Sequence, residues 1–258
     1  MNKSSGHNSP KSSRLLRCLD ELEVLAGRPR ENQFGSRLGR LIDLSDSIAL
    51  ADTLRQVSRK EEVGSEMVAD KRGELLKADF LELRTSMVAF IARSFVVTAD
   101  TEQSPPFSLP RLSGQINSDD GYKPYQRFYA LHQSEMESQI NRLRVAAREQ
   151  VVGSSAKLAR VVTLDTALFE TLQSYCRKQL TQISVLLAQR FYLLRDTALA
   201  REDQQELKLN PEACLAPEGW LSLFYREMQN TLLAELDLRL QPLLGLVEAC
   251  EYEELNQR

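Results

Sequence analysis

The chain has 258 residues, 42% of them hydrophobic and 27% charged, with a net charge of -3. That is enough apolar material for one large or two small domains, and the slight acidity gives no whole-chain attraction to nucleic acid or anionic lipid. Glycine (11) and proline (9) are scarce, which favours long helices over a turn-rich β fold.

Residues 1–13, "MNKSSGHNSPKSS", are polar and of low complexity and read as a disordered tail. A short helix is expected from Arg14 to Ala26, with Leu15, Cys18, Leu19 and Leu22 on one face. "GRPREN" breaks it. A second short helix is expected from Phe34 to Ile42, and Ser45 is placed to cap a third carrying Ile48, Leu50, Leu54 and Val57. Leu76, Phe80, Leu83, Met87, Phe90 and Ile91 then recur at helical spacing, which predicts a helix from about Glu66 to Val97. Its apolar run "TSMVAFIA" lies between two arginines and falls well short of the ~20 residues of a membrane span. With no signal peptide either, the sequence predicts a soluble, cytoplasmic protein with no membrane insertion.

"TADTEQSPPFSLPRLSGQINSDDGYKP", residues 98–124, holds four prolines without an apolar period and reads as a flexible linker. Beyond it a helix is expected from Tyr125 to Gln150, its stripe running through Tyr125, Phe128, Tyr129, His132, Met136, Ile140, Leu143 and Ala147. After "GSS" a very long helix is predicted from Ala156 to about Ala198, roughly 60 Å at the helical rise. Its stripe takes in Leu158, Val161, Val162, Leu168, Phe169, Leu172, Tyr175, Leu180, Ile183, Leu186, Leu187, Phe191 and Leu194.

The last element contains "LLAELDLRLQPLLGLVEAC", which alternates like a strand at Leu236, Leu238 and Leu240. Helical spacing accounts for more: Leu232, Leu233, Leu236, Leu240, Leu243, Leu244 and Val247 share one side, and only Leu238 is left off. Glu235 and Arg239 stand at i,i+4 in the favourable order, worth ~0.3–0.5 kcal/mol on a helix surface. Pro242 cannot donate to the carbonyl of Leu238, so a kink or break is expected near Leu240.

The fold class that follows is all-α: a smaller N-terminal helical subdomain (14–97), a linker (98–124) and an antiparallel helical bundle or coiled coil (125–258) with one very long helix. The long helix should overhang its hairpin partner unless another helix covers it. An exposed stripe there, Leu186, Arg190, Phe191 and Leu194, would be a partner surface for another protein or a second copy.

Chemistry-bearing motifs are few. His7 lies in the tail; His132 lies on an apolar stripe and reads as a hydrogen-bonded core histidine rather than a metal ligand, since no second histidine cluster exists. Cys18, Cys176, Cys214 and Cys250 lack the spacing of a zinc site and read as free thiols. No phosphate-cradling loop, dinucleotide fingerprint or nucleophile elbow occurs, so neither an enzyme nor a cofactor is expected. Asp165, Gln179 and Arg190 fall within the long helix's stripe, where charge needs a partner. Folding the hairpin about Gly153 brings Asp165 to Arg142 or Arg144, a salt bridge that would set register, and Gln179 to Arg127. The functional alternative for Asp165 is a partner-binding charge.

Arg14, Arg17, Arg28, Arg30, Arg37 and Arg40 make the N-terminal region locally basic. They supply a runner-up reading, a nucleic-acid-associated protein. Interleaved acids and the lack of an aromatic platform favour a solvated mixed-charge surface instead. The acidic end, Glu248, Glu251, Glu253 and Glu254, reads as a solvated helix terminus.

"RFYALHQSEMESQINRLR", "AKLARVVTLDTALFETL" and "WLSLFYREMQNTLLAELDLRLQPLLGLVEA", with "GSRLGRLIDLSDSIAL" nearer the N-terminus, resemble the recurring blocks of an uncharacterised bacterial all-helical family, a domain of unknown function. The resemblance covers nearly the whole chain apart from the tail and the central linker, and "LLAELDLRLQP" is its most specific piece. It implies no catalytic residues. It does imply a gene neighbourhood with a MotA/TolQ-like proton-channel subunit and an OmpA-like peptidoglycan-binding protein, and hence a cytoplasmic accessory to an envelope machine. On this reading the protein is a non-enzymatic scaffold or adaptor.

Overall fold

The computed structural model describes residues 14–25, 51–55, 72–96, 107–110, 121–152, 155–200 and 214–256. The expected tail, the expected helix at 34–42 and most of the element expected after Ser45 lie outside them; of the last, 51–55 are helical. The described residues contain helices and turns and no strand. The long helices are α1 (Arg14–Leu25), α2 (Arg72–Ser94), α3 (Lys123–Val152), α4 (Ala156–Ala200) and α5 (Trp220–Asn256).

The expected stripes are the buried faces. Leu15, Leu19 and Leu22 of α1, Leu76, Phe80, Met87 and Ile91 of α2, and Tyr125, Phe128, Tyr129, Met136, Ile140 and Ala147 of α3 all enter one continuous core. α3 and α4 fold back on each other, and Ser155 caps α4 by accepting the Leu158 N–H at 3.1 Å. At 45 residues α4 is roughly 68 Å long.

α5 is the central helix: it packs against each of the other four. It buries Thr231, Leu232, Ala234, Glu235, Leu236, Leu240, Leu243, Leu246, Val247 and Cys250, a wider arc than a single stripe, as a helix enclosed by neighbours must. α1 and α2 both lie on it, so helices from both sides of the proline-rich segment contribute to the same core.

Of the kink or break expected near Leu240, the break does not occur, and parts of the segment read as linker are ordered on the core. α5 runs unbroken through Pro242. Pro242 and Leu238, whose carbonyl the proline leaves without its helical donor, both lie on the exposed side, where that carbonyl is open to solvent. Within the proline-rich segment, Leu109 N–H bonds the Ser94 carbonyl at 3.2 Å, and Phe107, at a left-handed φ of 72°, stands edge-on to Phe90 at 5.2 Å. Tyr122 is buried and α3 begins at Lys123, inside the segment read as linker.

Candidate functional site

The most concentrated polar chemistry lies where α3, α4 and α5 meet, on the block "LLAELDLRLQP". Glu235 is completely buried among Leu232, Ala234 and Leu236. Its carboxylate accepts the Tyr129 hydroxyl at 2.8 Å, the Gln133 amide at 3.0 Å to each oxygen, and Arg239 Nε at 2.8 Å and Nη2 at 2.7 Å. Gln133 also reaches the Leu180 carbonyl of α4 at 3.3 Å. Arg239 Nη1 continues to Glu137 at 3.8 Å, and Glu137 is held by Arg177 of α4. The carboxylate thus ties α5 to α3, and Gln133 and Glu137 extend the network to α4; its charge is matched by Arg239 and its lone pairs are filled by donors. Burial, with Glu235 beside it, raises the Tyr129 hydroxyl well above the ordinary tyrosine range, so it remains a donor.

The surface energy assigned to the Glu235–Arg239 pair from spacing alone therefore does not apply: the same i,i+4 geometry sits in the core, where losing one partner strands the other.

The hairpin carries a second pairing. Asp165 meets Arg144, Nη2 to Oδ1 at 2.5 Å and Nε to Oδ2 at 3.1 Å, and also Arg148, Nε to Oδ2 at 2.8 Å. Both guanidiniums lie over the Phe169 ring, at 4.2 and 5.5 Å. Of the two arginines offered for Asp165, Arg144 is the partner and Arg142 is exposed; Arg148, one turn beyond Arg144, is a second partner. Gln179 and Arg127 are not joined by a hydrogen bond. Gln133 stands opposite Leu180 and Glu137 opposite Arg177, so Gln179 lies across from the turn around Gln133, about two turns from Arg127.

The residues expected as a partner surface are covered from within. Phe191 is 0% exposed, ringed by Tyr122, Tyr125, Trp220 and Phe224 at 5.2–5.8 Å. Arg190, 6% exposed, grips Glu227 of α5 through two bonds of 2.8 Å. Leu186 and Leu194 pack against the same core. The start of α5 supplies the cover.

His132 is fully buried between Phe90, Phe95, Phe107 and Phe128. Its Nδ1 lies 2.9 Å from the Phe128 carbonyl and its Nε2 2.7 Å from Ser94 Oγ. Nδ1–H therefore donates to the carbonyl; in the neutral ring that burial favours by lowering the imidazole's proton affinity, Nε2 competes with the Phe90 and Ile91 carbonyls, 2.8 and 3.1 Å from Ser94 Oγ, for the one serine hydroxyl proton.

Among the described residues no group of three or more His, Cys, Asp or Glu is placed to hold a metal ion. All four cysteines are free; Cys214 and Cys250 are buried, Cys18 is half-buried and Cys176 is exposed. No described helix is long and apolar enough to cross a membrane. Arg14 pairs with Asp237 at 3.1 Å and Arg17 is exposed, while Arg37 and Arg40 lie outside the described residues. The acidic end is less solvated than expected: Glu251 pairs with Lys77 at 2.6 Å, Glu253 is buried, and Glu254 accepts the Gly73 N–H at 2.6 Å.

No curated protein and no solved structure matches the chain. One family model does, over residues 1–252, and the chain accordingly belongs to the family described as "Protein of unknown function (DUF3348)".

Proposed function

We propose that this protein is a non-enzymatic helical adaptor of the bacterial cytoplasm, in the manner of an antiparallel coiled coil. Its partner on this reading is a protein of an envelope machine, a MotA/TolQ-like channel subunit working with an OmpA-like protein, as the family resemblance implies. The observation that carries the adaptor reading is the end of α4. Phe191 is enclosed by aromatic residues at the very starts of α3 and α5, and α4 continues beyond it to Ala200, with Tyr192 and Leu194 still packed on the core. Leu193 and Leu199 are exposed there, and Arg195 and Asp196 pair with each other at 2.9 Å, which leaves the overhang apolar and nearly neutral. A rigid rod with an apolar tip suits a helix-to-helix contact.

The pairing of the buried charges Glu235, Arg144 and Arg190 with partners on other helices or turns supports the same reading, because it fixes how the rod is presented. The test is purification of the full chain from its host at native level, beside the Leu193→Glu/Leu199→Glu variant. Co-purification of a channel or OmpA-like subunit, lost in the variant while its circular dichroism is unchanged, is the expected result. A monomer with no partner, or a partner that the variant retains, would overturn it; a homo-oligomer lost in the variant would replace the envelope partner with a second copy.

A further inference from the structure

Four helix ends meet at one end of the bundle with alternating polarity. α2 and α4 begin there, and α3 and α5 end there. Residues 248–256 of α5 include Glu248, Glu251, Glu253 and Glu254, and the last turn holds no basic residue. Carboxylates at a helix C-terminus oppose its dipole, so this end is a poor helix by itself.

Its compensation comes from other helices. Glu254 Oε1 accepts the Gly73 N–H in the first turn of α2 at 2.6 Å, Glu251 pairs with Lys77 at 2.6 Å, and Glu253 lies 3.8 Å from Lys157 in the first turn of α4. Arg72 Nη1 in turn donates to the Gln150 carbonyl at the negative end of α3, at 3.2 Å. Glycine at 73 is what lets the carboxylate come so close: a Cβ there would lie 2.8 Å from Glu254 Oε2 and push it aside. Farther along the same seam Arg84 reaches Asp237 at 3.4 Å, and Arg14 of α1 shares that carboxylate.

We infer that α2 and the last turns of α5 form an ionic clasp, each completing the other's helix end, that opens as one unit. The end of α5 holds its helical form while α2 is docked. Opening uncovers the apolar face of α2, Leu76, Phe80, Met87 and Ile91, while the α3–α4 hairpin stays closed on its own contacts. Lys77, Arg84 and Arg14 are about half exposed, so salt reaches and screens the seam. The clasp does not depend on the adaptor reading.

Hydrogen exchange of the full chain, read by mass spectrometry at about 50 mM and about 500 mM NaCl, tests this. Amides of 72–80 and 248–256 should exchange about tenfold faster at high salt and by the same factor, with 125–147 unchanged. At low salt Glu254→Gln and Gly73→Ala should each speed both segments several-fold. Glu248→Gln, which alters an exposed acid outside the clasp, should speed neither. Independent responses of the two segments, or no response to Glu254→Gln in a variant with native circular dichroism, would overturn the inference.

Discussion

Replacing Glu235 with alanine removes the acceptor that Tyr129, Gln133 and Arg239 share at zero solvent exposure. The Tyr129 hydroxyl and the Gln133 amide lose their carboxylate, and Arg239, 14% exposed, keeps only Glu137 at 3.8 Å. Breaking a buried pair from one side costs about 3–5 kcal/mol. For a chain of this size that is a fall of roughly 6–20 °C in Tm. The compensated change Glu235→Leu/Arg239→Met/Tyr129→Phe removes charge and hydroxyl together and should recover stability to within about 1–2 kcal/mol of the parent. Urea unfolding followed by far-UV circular dichroism measures both. A loss below about 1 kcal/mol for Glu235→Ala, or a compensated variant no better than the single one, would refute the reasoning.

Three further outcomes follow from the same contacts. Because both Arg144 and Arg148 hold Asp165, Asp165→Asn should cost more than Arg144→Met, and a double-mutant cycle of Arg144 with Asp165 should give about 1–3 kcal/mol of coupling; a zero coupling would contradict the register role. His132 is held neutral by burial, so its folded proton affinity lies below its unfolded one; the unfolded chain then binds the extra proton, and stability present above about pH 6.5 is lost as the pH falls below it. Urea midpoints at about pH 7.5 and pH 5.5 should differ less in His132→Gln than in the parent, and an equal difference would remove this group as a cause. Pro242→Ala restores a donor to an exposed turn of a continuous helix and should stabilise by about 1–3 kcal/mol; a lower urea midpoint would mean the proline is needed for the path of α5.

Much of the fold was legible because each stripe is a local property. The spacing of Leu76, Phe80, Met87 and Ile91, or of Tyr129, His132, Met136 and Ile140, names the buried face without reference to its neighbour. Asp165 and Arg144 were legible for a related reason: a charge inside an apolar stripe needs a partner, and a short turn limits where that partner sits. The same count failed for Gln179, because a fold taken about Gly153 puts Arg127 opposite it, whereas the contacts Gln133–Leu180 and Glu137–Arg177 set the register farther along α3.

Other features depend on which helices surround which. Glu235 and Arg239 have the spacing of an ordinary surface pair, and only the presence of neighbours all around α5 turns that pair into a core network. For the same reason Phe191 and Arg190 read as a partner surface until the start of α5 is seen to cover them. The pairing of Glu251 and Glu254 with α2 joins residues far apart in the chain, which no local pattern encodes. Nor does a local pattern show Phe107, whose ring reaches the His132 cluster from a segment without period.

The central claim is that the overhanging end of α4 is the surface by which this chain meets its partner. A photo-crosslinking amino acid placed in turn at Leu193, at Leu199 and at the exposed Val145 of α3, in the native host, tests it directly. The account predicts covalent adducts to an envelope-channel or OmpA-like subunit from 193 and 199 and none from 145. Adducts from all three positions alike, or from none, would contradict it.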